Sequence, residues 1–185
     1  MNHRLLKECL PHERQETEGF IARIFEENFG AQPRLFMPRL FSLRDNQEHL
    51  KLALGMRTAT YGPLFLEQYL PEPVETLIEK SIGYPVERHD IAEIGNLAAL
   101  QPGGIRWAIQ AATRMLHEEG FTWVVFTGTK SLYNGFTKLG LFPQFLGIAR
   151  VERLPLNEQK DWGSYFRHHP QVYFGDISEG YRQLP

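Results

Sequence analysis

Residues 91–143 restrict the possible folds more than any other stretch. Ile91 to Leu100 (IAEIGNLAAL) reads as a buried strand that runs into the turn Gln101-Pro102-Gly103-Gly104. Ile105 to Glu119 follows at once as an amphipathic helix. It carries Ile105, Ala108, Ile109, Ala112, Met115 and Leu116 on one face, with Gly120 as its stop. Phe121 to Phe126 (FTWVVF) is a second buried strand by its β-branched and aromatic content. Thr127 or Thr129 caps a short helix that ends at Gly140. Where a strand meets a glycine loop and a helix N-terminus, free backbone N–H groups and the helix dipole converge and make a site for an anion. The plain alternative is a buried strand end whose small residues serve helix packing.

The remaining segments supply a sheet and helices around that unit. Glu13 to Phe29 places Phe20, Ile21, Ile24, Phe25 and Phe29 on one helical face, and Gly30 is positioned to cap its end. Leu35 to Leu43 reads as a strand and the polar run Arg44 to Glu48 as a turn. His49 to Met56 alternates, with Leu50, Leu52, Leu54 and Met56 on one face, so the two strands form an antiparallel hairpin. Tyr61 to Leu70 (YGPLFLEQYL) has no clear period. Pro73 opens a helix that buries Val74, Leu77, Ile78 and Ile82 and ends at Gly83. Leu141 to Val151 contains another strand and Gln171 to Gly175 a last one. This order predicts an α/β (α+β) chain, a mixed sheet with helices on both faces, in one domain over residues 1–185.

Bulk properties remove several function classes. Lys and Arg collect on no one stretch and the net charge is −2, so nothing asks for nucleic acid. Cys9 is the single cysteine, which excludes an intrachain disulfide framework and fits a reducing, cytoplasmic setting. The first twenty residues lack the apolar core of a signal peptide, and no apolar run approaches bilayer-spanning length. His168-His169 and His89-Asp90 lack metal-ligand spacing, so no metal is expected. Ser131 and Ser164 lack a nucleophile elbow, which argues against a serine hydrolase. Phe alone occurs 13 times, and such aromatic wealth serves either a large apolar pocket or simple core packing.

The element order resembles the GNAT fold of N-acyltransferases. In that superfamily the fourth strand is followed by a loop of pattern Gln/Arg-x-x-Gly-x-Gly/Ala; here Gln101 and Gly104 match it, while Arg106 stands where a small residue is usual. The later helix commonly ends in Tyr-x-x-x-Gly-Phe; the stretch FTKLGL puts Phe136 in the place of the usual general-acid tyrosine. The segments GPLFLEQYL, EIGNLAAL, GFTWVVFTGT, LGLFP and WGSYF, in this order, resemble the bacterial family of thermostable haemolysins, itself related to the GNAT fold and similar to the acyl-homoserine-lactone autoinducer synthases. The resemblance implies a GNAT-like, mostly antiparallel twisted sheet with a V-shaped opening between the fourth and fifth strands. The family name implies membrane lysis; the fold kinship implies acyl transfer.

On that resemblance the anion expected at the glycine loop is the pyrophosphate of acyl-CoA or the phosphopantetheine arm of an acyl carrier protein. Gln101, Gly103, Gly104, Ile105 and Arg106 would hold it, with Arg106 either crowding the loop or pairing with a phosphate. Leu97, Ala98 and Ala99 would let pantetheine lie against the strand and supply a backbone N–H to the thioester carbonyl. Glu93 is an expensive carboxylate inside an apolar strand. Strand alternation puts it on one face with Gly95 and Leu97, opposite Ile94 and Asn96. It is assigned either as a general base for the incoming amine, or as a structural ion-pair partner of Arg57 or Arg88. Tyr133, one turn before Phe136, is the candidate general acid, against an ordinary helix tyrosine. Glu67, Tyr69, Asn96, Asn134, Trp162 and Tyr165 are candidate acceptor or pantetheine contacts, with solvated-loop or core roles as their alternatives.

The expected function is acyl-CoA- or acyl-carrier-protein-dependent N-acyl transfer to a small amine, without a metal. The alternatives are a membrane-active haemolysin and a non-catalytic acyl- or nucleotide-binding module of the same fold. The expected partners are the small-molecule amine and, for one type of donor, a carrier protein; a homodimer is compatible with the fold.

Overall fold

A computed structural model describes residues 6–101 and 103–184, so Pro102 of the glycine turn lies outside the described residues. Alternation in the LKLALGMRT segment builds strand β3, Leu50–Thr58, the longest of the hairpin. Leu52, Leu54 and Met56 enter one apolar cluster and Ala53 another, on the opposite face. Its partner β2 is Arg39–Arg44, four residues shorter at the start than the expected Leu35–Leu43. Pro38 has no N–H to give to a ladder, and the Met37 N–H is taken by the Asn96 side chain at 2.8 Å. The turn between them is held by the Asp45 carboxylate, which accepts from the Gln47 and His49 amides.

Among the described residues, seven strands form one sheet in the order β1-β2-β3-β4-β5-β7-β6. β1 is the short Lys7–Glu8, which sequence periodicity did not reveal. β4 is Ile91–Ala99, β5 Trp123–Gly128, β6 Gln144–Ile148 and β7 Gln171–Asp176. Only β4 and β5 run parallel; the other neighbours are antiparallel. Helix α3, Gly104–Glu118, makes the crossover that this parallel pair requires.

The helices lie on both faces. On one side α3 inserts Ala108, Ala112 and Leu116 against Phe41, Leu54, Met56, Ala92 and Ile94. Ile177 joins them from α6, Ile177–Gln183, a terminal helix capped by the Asp176 carboxylate and not anticipated from the pattern. On the other side α1, Arg14–Phe29, packs Phe20, Ile21 and Ile24 on Leu40, Ala53 and Ala98. Beside it α2, Val74–Ile82, buries Val74 and Ile78 against Ile91, Val125 and Phe174. Each fully buried aliphatic or aromatic side chain contributes about 1.5–3 kcal/mol. Helix α4 is Lys130–Thr137 with Thr129 at its N-cap, and α5 is the single turn Leu156–Gln159. The unassigned GPLFLEQYL segment becomes a 3-10 turn at Phe65–Tyr69.

Candidate active site

The sheet splits at its parallel pair. The β4–β5 ladder runs only from Ile91/Trp123 to Ile94/Phe126. Beyond that point β4 stays paired with β3 as far as Ala99, and β5 stays paired with β7 as far as Gly128. The two strand ends therefore diverge and leave a V-shaped opening with main-chain groups along its margins. A β-bulge sharpens the split. Gly95 opposes Gly55 and Ala98 opposes Ala53, so Asn96 and Leu97 together face Leu54. Asn96 takes a left-handed φ of 50° there, which asparagine tolerates better than most residues.

The bulge corrects the simple alternation. Glu93 and Gly95 face the α1 side as expected, but Leu97 is turned to the α3-side cluster with Ile94. Asn96 turns to the α1 side, where its amide bonds the Met37 N–H and the Leu35 carbonyl at 2.8 and 3.3 Å.

A cavity of about 680 Å³ occupies the V and reaches both faces of the sheet. Its β4 margin is Glu93 to Leu97 and Ala99; Phe126 to Thr129 of β5 and its following turn form the other. Gln101, Gly103 and Ile105 close the end where α3 begins. The loop geometry there needs both glycines. Gly103 has φ 86°, a left-handed conformation, and a Cβ on Gly104 would stand 2.8 Å from that of Ala99. The Gly104 N–H is engaged, closing the turn onto the Gln101 carbonyl at 2.9 Å. The Ile105 N–H has no acceptor among the described residues, and the exposed Arg106 guanidinium leans over Gly103.

Glu93 lies one residue below the vertex, 2% exposed, on the α1 side of the cavity. Its two oxygens accept the Phe65 and Leu66 amides at 2.7 and 3.0 Å. Neither Arg57 nor Arg88 forms an ion pair with it: Arg88 is committed to Glu67 and Glu75. Burial is the dominant influence on its acidity. The two amides and the more distant Arg57 charge offset only part of it, so the carboxyl is pushed up to about 7.

Glu67 holds the turn that presents those amides. It accepts the Leu64 and Val74 N–H groups and both Arg88 nitrogens. Burial works to raise its pKa, but Arg88 and the two amides outweigh that and hold the carboxyl below its ordinary range. It is not among the residues lining the cavity, whereas Tyr69 from the same turn is.

An aromatic wall faces Glu93. Trp162 and Tyr165 line the cavity with their ring centroids 5.4 Å apart, and Tyr165 meets Phe29 edge-on at 5.2 Å. Phe65 joins Trp162 at 6.1 Å. Gly163 makes the wall possible: its φ of 50° turns the chain, and a Cβ there would drive into the Phe29 carbonyl oxygen. Burial pushes the Tyr69 and Tyr165 phenols up, so both stay protonated.

Several candidates are not brought to the cavity. Tyr133 stacks on Tyr173 at 5.1 Å, and neither it nor Asn134, Gly104, Arg106 or Ala98 is a lining residue. Phe136 does line it, stacked on Phe126 at 4.7 Å. Three lining residues carried no sequence signal as site residues. Phe25 and Phe29 read as ordinary core positions of a helix face, and Thr127 as a cap. In the structure the Thr127 Oγ1 is buried with no hydrogen-bond partner among the described residues, one residue above the vertex on β5. Among the described residues, no group of three His, Cys, Asp or Glu side chains is placed for a metal, and no helix is long and apolar enough to cross a membrane.

The fold recurs in solved structures of low sequence identity. FeeM, an N-acyl amino acid synthase from uncultured soil microbes, is similar at TM-score 0.65 and 12% identity, over 98% of this chain and 99% of that one. BjaI, a CoA-dependent acyl-homoserine lactone synthase solved with SAM and isopentyl-CoA, is similar at TM-score 0.61 and 13% identity, over 96% and 86%. The aminoglycoside acetyltransferase AAC(6')-Ib, solved with coenzyme A and kanamycin, is similar at TM-score 0.58 and 11% identity, over 97% of each chain. A search of curated protein sequences gives no match. These likenesses establish the GNAT-like fold that the element order suggested. The sequence profile described as "Thermostable hemolysin" matches residues 8–181, nearly the whole of what folds around the split sheet, and the chain belongs to that family.

Proposed function

We propose that this chain is an N-acyltransferase that moves an acyl group from a thioester, acyl-CoA or an acyl carrier protein, to a small amine. One observation carries the reading: a single cavity joins the glycine loop at the start of α3 to the buried carboxyl of Glu93 through the split between β4 and β5. The similar structures named for N-acyl or acetyl transfer support the same reaction class.

The donor's phosphates bind at the α3 N-terminus, where the Ile105 N–H and the helix dipole meet them and Arg106 adds a cation. From Ala99 back to Glu93 is six residues, roughly 20 Å along a strand at ~3.3 Å per residue. A long linear pantetheine thioester bridges such a gap while bonding the open β4 margin at Leu97–Ala99. Glu93 takes a proton from the bound ammonium, directly or through water. The freed amine attacks the thioester carbonyl carbon, forming the C–N bond, and a backbone N–H at Leu97–Ala99 stabilises the oxyanion. The C–S bond then breaks. A thiolate of ordinary acidity, pKa about 8.5, leaves without a strong acid, so Phe136 in place of tyrosine is tolerable. Tyr133 and Asn134 have no part in this scheme. Much of the rate comes from holding donor and amine together.

The test is free-thiol release from a panel of acyl thioesters and amines, with donor binding measured separately. Release above the uncatalysed rate is expected. Absence of both release and donor binding across the panel overturns the reading.

A second test concerns Thr127. Its buried hydroxyl lacks a partner among the described residues and is assigned to a pantetheine amide or the thioester oxygen. Thr127→Val is expected to weaken donor binding by roughly 2- to 13-fold, the worth of one neutral hydrogen bond. The same change removes an unpaired buried polar atom, so thermal unfolding should show equal or higher stability, by about 1 kcal/mol. Unchanged donor affinity would remove Thr127 from the site.

A further inference from the structure

The cavity also holds a cation that neither the fold nor the donor accounts for. Arg57 is the direct register partner of Glu93 across β3 and β4, so both side chains leave the same face of the sheet. Both line the cavity. The Arg57 guanidinium makes one long hydrogen bond, 3.4 Å to the Pro63 carbonyl, and no carboxylate lies within ion-pair distance among the described residues. Arg88, by contrast, is fully spent on two carboxylates and two carbonyls. A half-buried guanidinium with most of its fork unused is a receptor for a planar anion. The donor's phosphates bind at the far end of the cavity, so they do not explain it.

We infer that the acceptor is an α-amino acid with an apolar or aromatic side chain, whose carboxylate is held by Arg57 while its amine faces Glu93. This rests on the N-acyl transfer reading above and names the acceptor class for that site. Directly opposed residues of an antiparallel pair have Cβ atoms roughly 4.5–5.5 Å apart. An amine and a carboxylate on one carbon therefore meet Glu93 and Arg57 together. The acceptor's side chain then falls against Phe25, Phe65, Tyr69, Trp162 and Tyr165, a wall that offers ring faces and no further charge. The reaction is balanced as follows: the amine forms the amide with the acyl carbon, the thiolate departs, and the amine's protons pass to Glu93 and the solvent.

The test pairs acceptors that differ only in the carboxylate: L-phenylalanine against phenethylamine, and L-leucine against isoamylamine. Octanoyl-CoA is the donor, and thiol release is followed with the full chain, Arg57→Met and Arg57→Lys. Binding of the same four compounds is titrated calorimetrically without donor. The wild type should prefer each amino acid over its amine by roughly 10- to 100-fold in kcat/KM, the range for a charge-assisted hydrogen bond. Arg57→Met should erase that preference by raising KM for the amino acids alone, and Arg57→Lys should restore part of it. Equal or better use of the simple amines by the wild type overturns the inference, as does a preference that survives Arg57→Met. If no pair releases thiol, the N-acyl transfer reading is decided separately, by the thioester panel and the donor-binding measurement. The calorimetric arm still decides the acceptor site: preferential amino-acid binding abolished by Arg57→Met supports it, and equal or no binding refutes it.

Discussion

Glu93→Gln is expected to lower kcat by roughly 10²- to 10⁴-fold, the usual contribution of a positioned general base, while leaving donor affinity within about twofold. Glutamine keeps the size of the side chain and one carbonyl acceptor for the Phe65 or Leu66 amide. It cannot take a proton. The wild-type kcat/KM should rise with pH along a limb centred near 7, because the base works only when ionised and burial has pushed Glu93 up to about 7. That limb should vanish in Glu93→Gln.

Stability should move in the opposite direction. The folded-state pKa is above the unfolded one, so between about 4.5 and 7 the native protein holds a proton that the unfolded chain has released. The Glu93 contribution is therefore most favourable below the unfolded pKa and is lost as pH rises through 7, on the order of 3 kcal/mol in all. Denaturant unfolding at pH 5 and pH 8 should show this loss in the wild type and a flatter dependence in Glu93→Gln. A purely structural Glu93 would leave the rate profile untouched. An unaltered kcat in the variant removes Glu93 from the chemistry.

Gly104→Asp is the second large effect. A carboxylate about 4 Å from a phosphate oxygen costs roughly 4 kcal/mol at an effective dielectric near 20, on the order of a thousandfold in donor affinity. Part of any loss would come from bulk, since any Cβ at this position meets Ala99 at 2.8 Å. Gly104→Ala carries the same Cβ without the charge and should lose far less. Calorimetric titration with coenzyme A separates the two, and thermal unfolding checks that each variant folds. Equal coenzyme A affinity in Gly104→Asp and the wild type would place the phosphates elsewhere.

Local patterns in the chain were enough for most of the framework. The amphipathic period of α3, the alternation of β3 and the glycine loop between β4 and α3 each depend on neighbours a few residues away, and all appear where the pattern put them. β1 was missed because two residues carry no period, and α6 because its signal is a single capping Asp176 ahead of a short, mostly polar turn. The early start assigned to β2 failed at Pro38. Among the site residues, Glu93 stood out because a carboxylate in an apolar strand demands a partner. The partner itself was invisible: it is a pair of amides from a 3-10 turn some 27 and 28 positions away, in a segment with no readable period.

Sequence alone determined most of the strands and helices and the family, because these rest on short-range chemistry in a linear order. Only the tertiary structure decided that the β4–β5 ladder stops at Ile94/Phe126, that a bulge turns Leu97 away from Glu93, and that Arg57, Glu93, Thr127 and the Phe29–Tyr165 wall share one cavity. Those outcomes depend on strand register and on packing between residues far apart in the chain. No local pattern encodes the point at which two paired strands part.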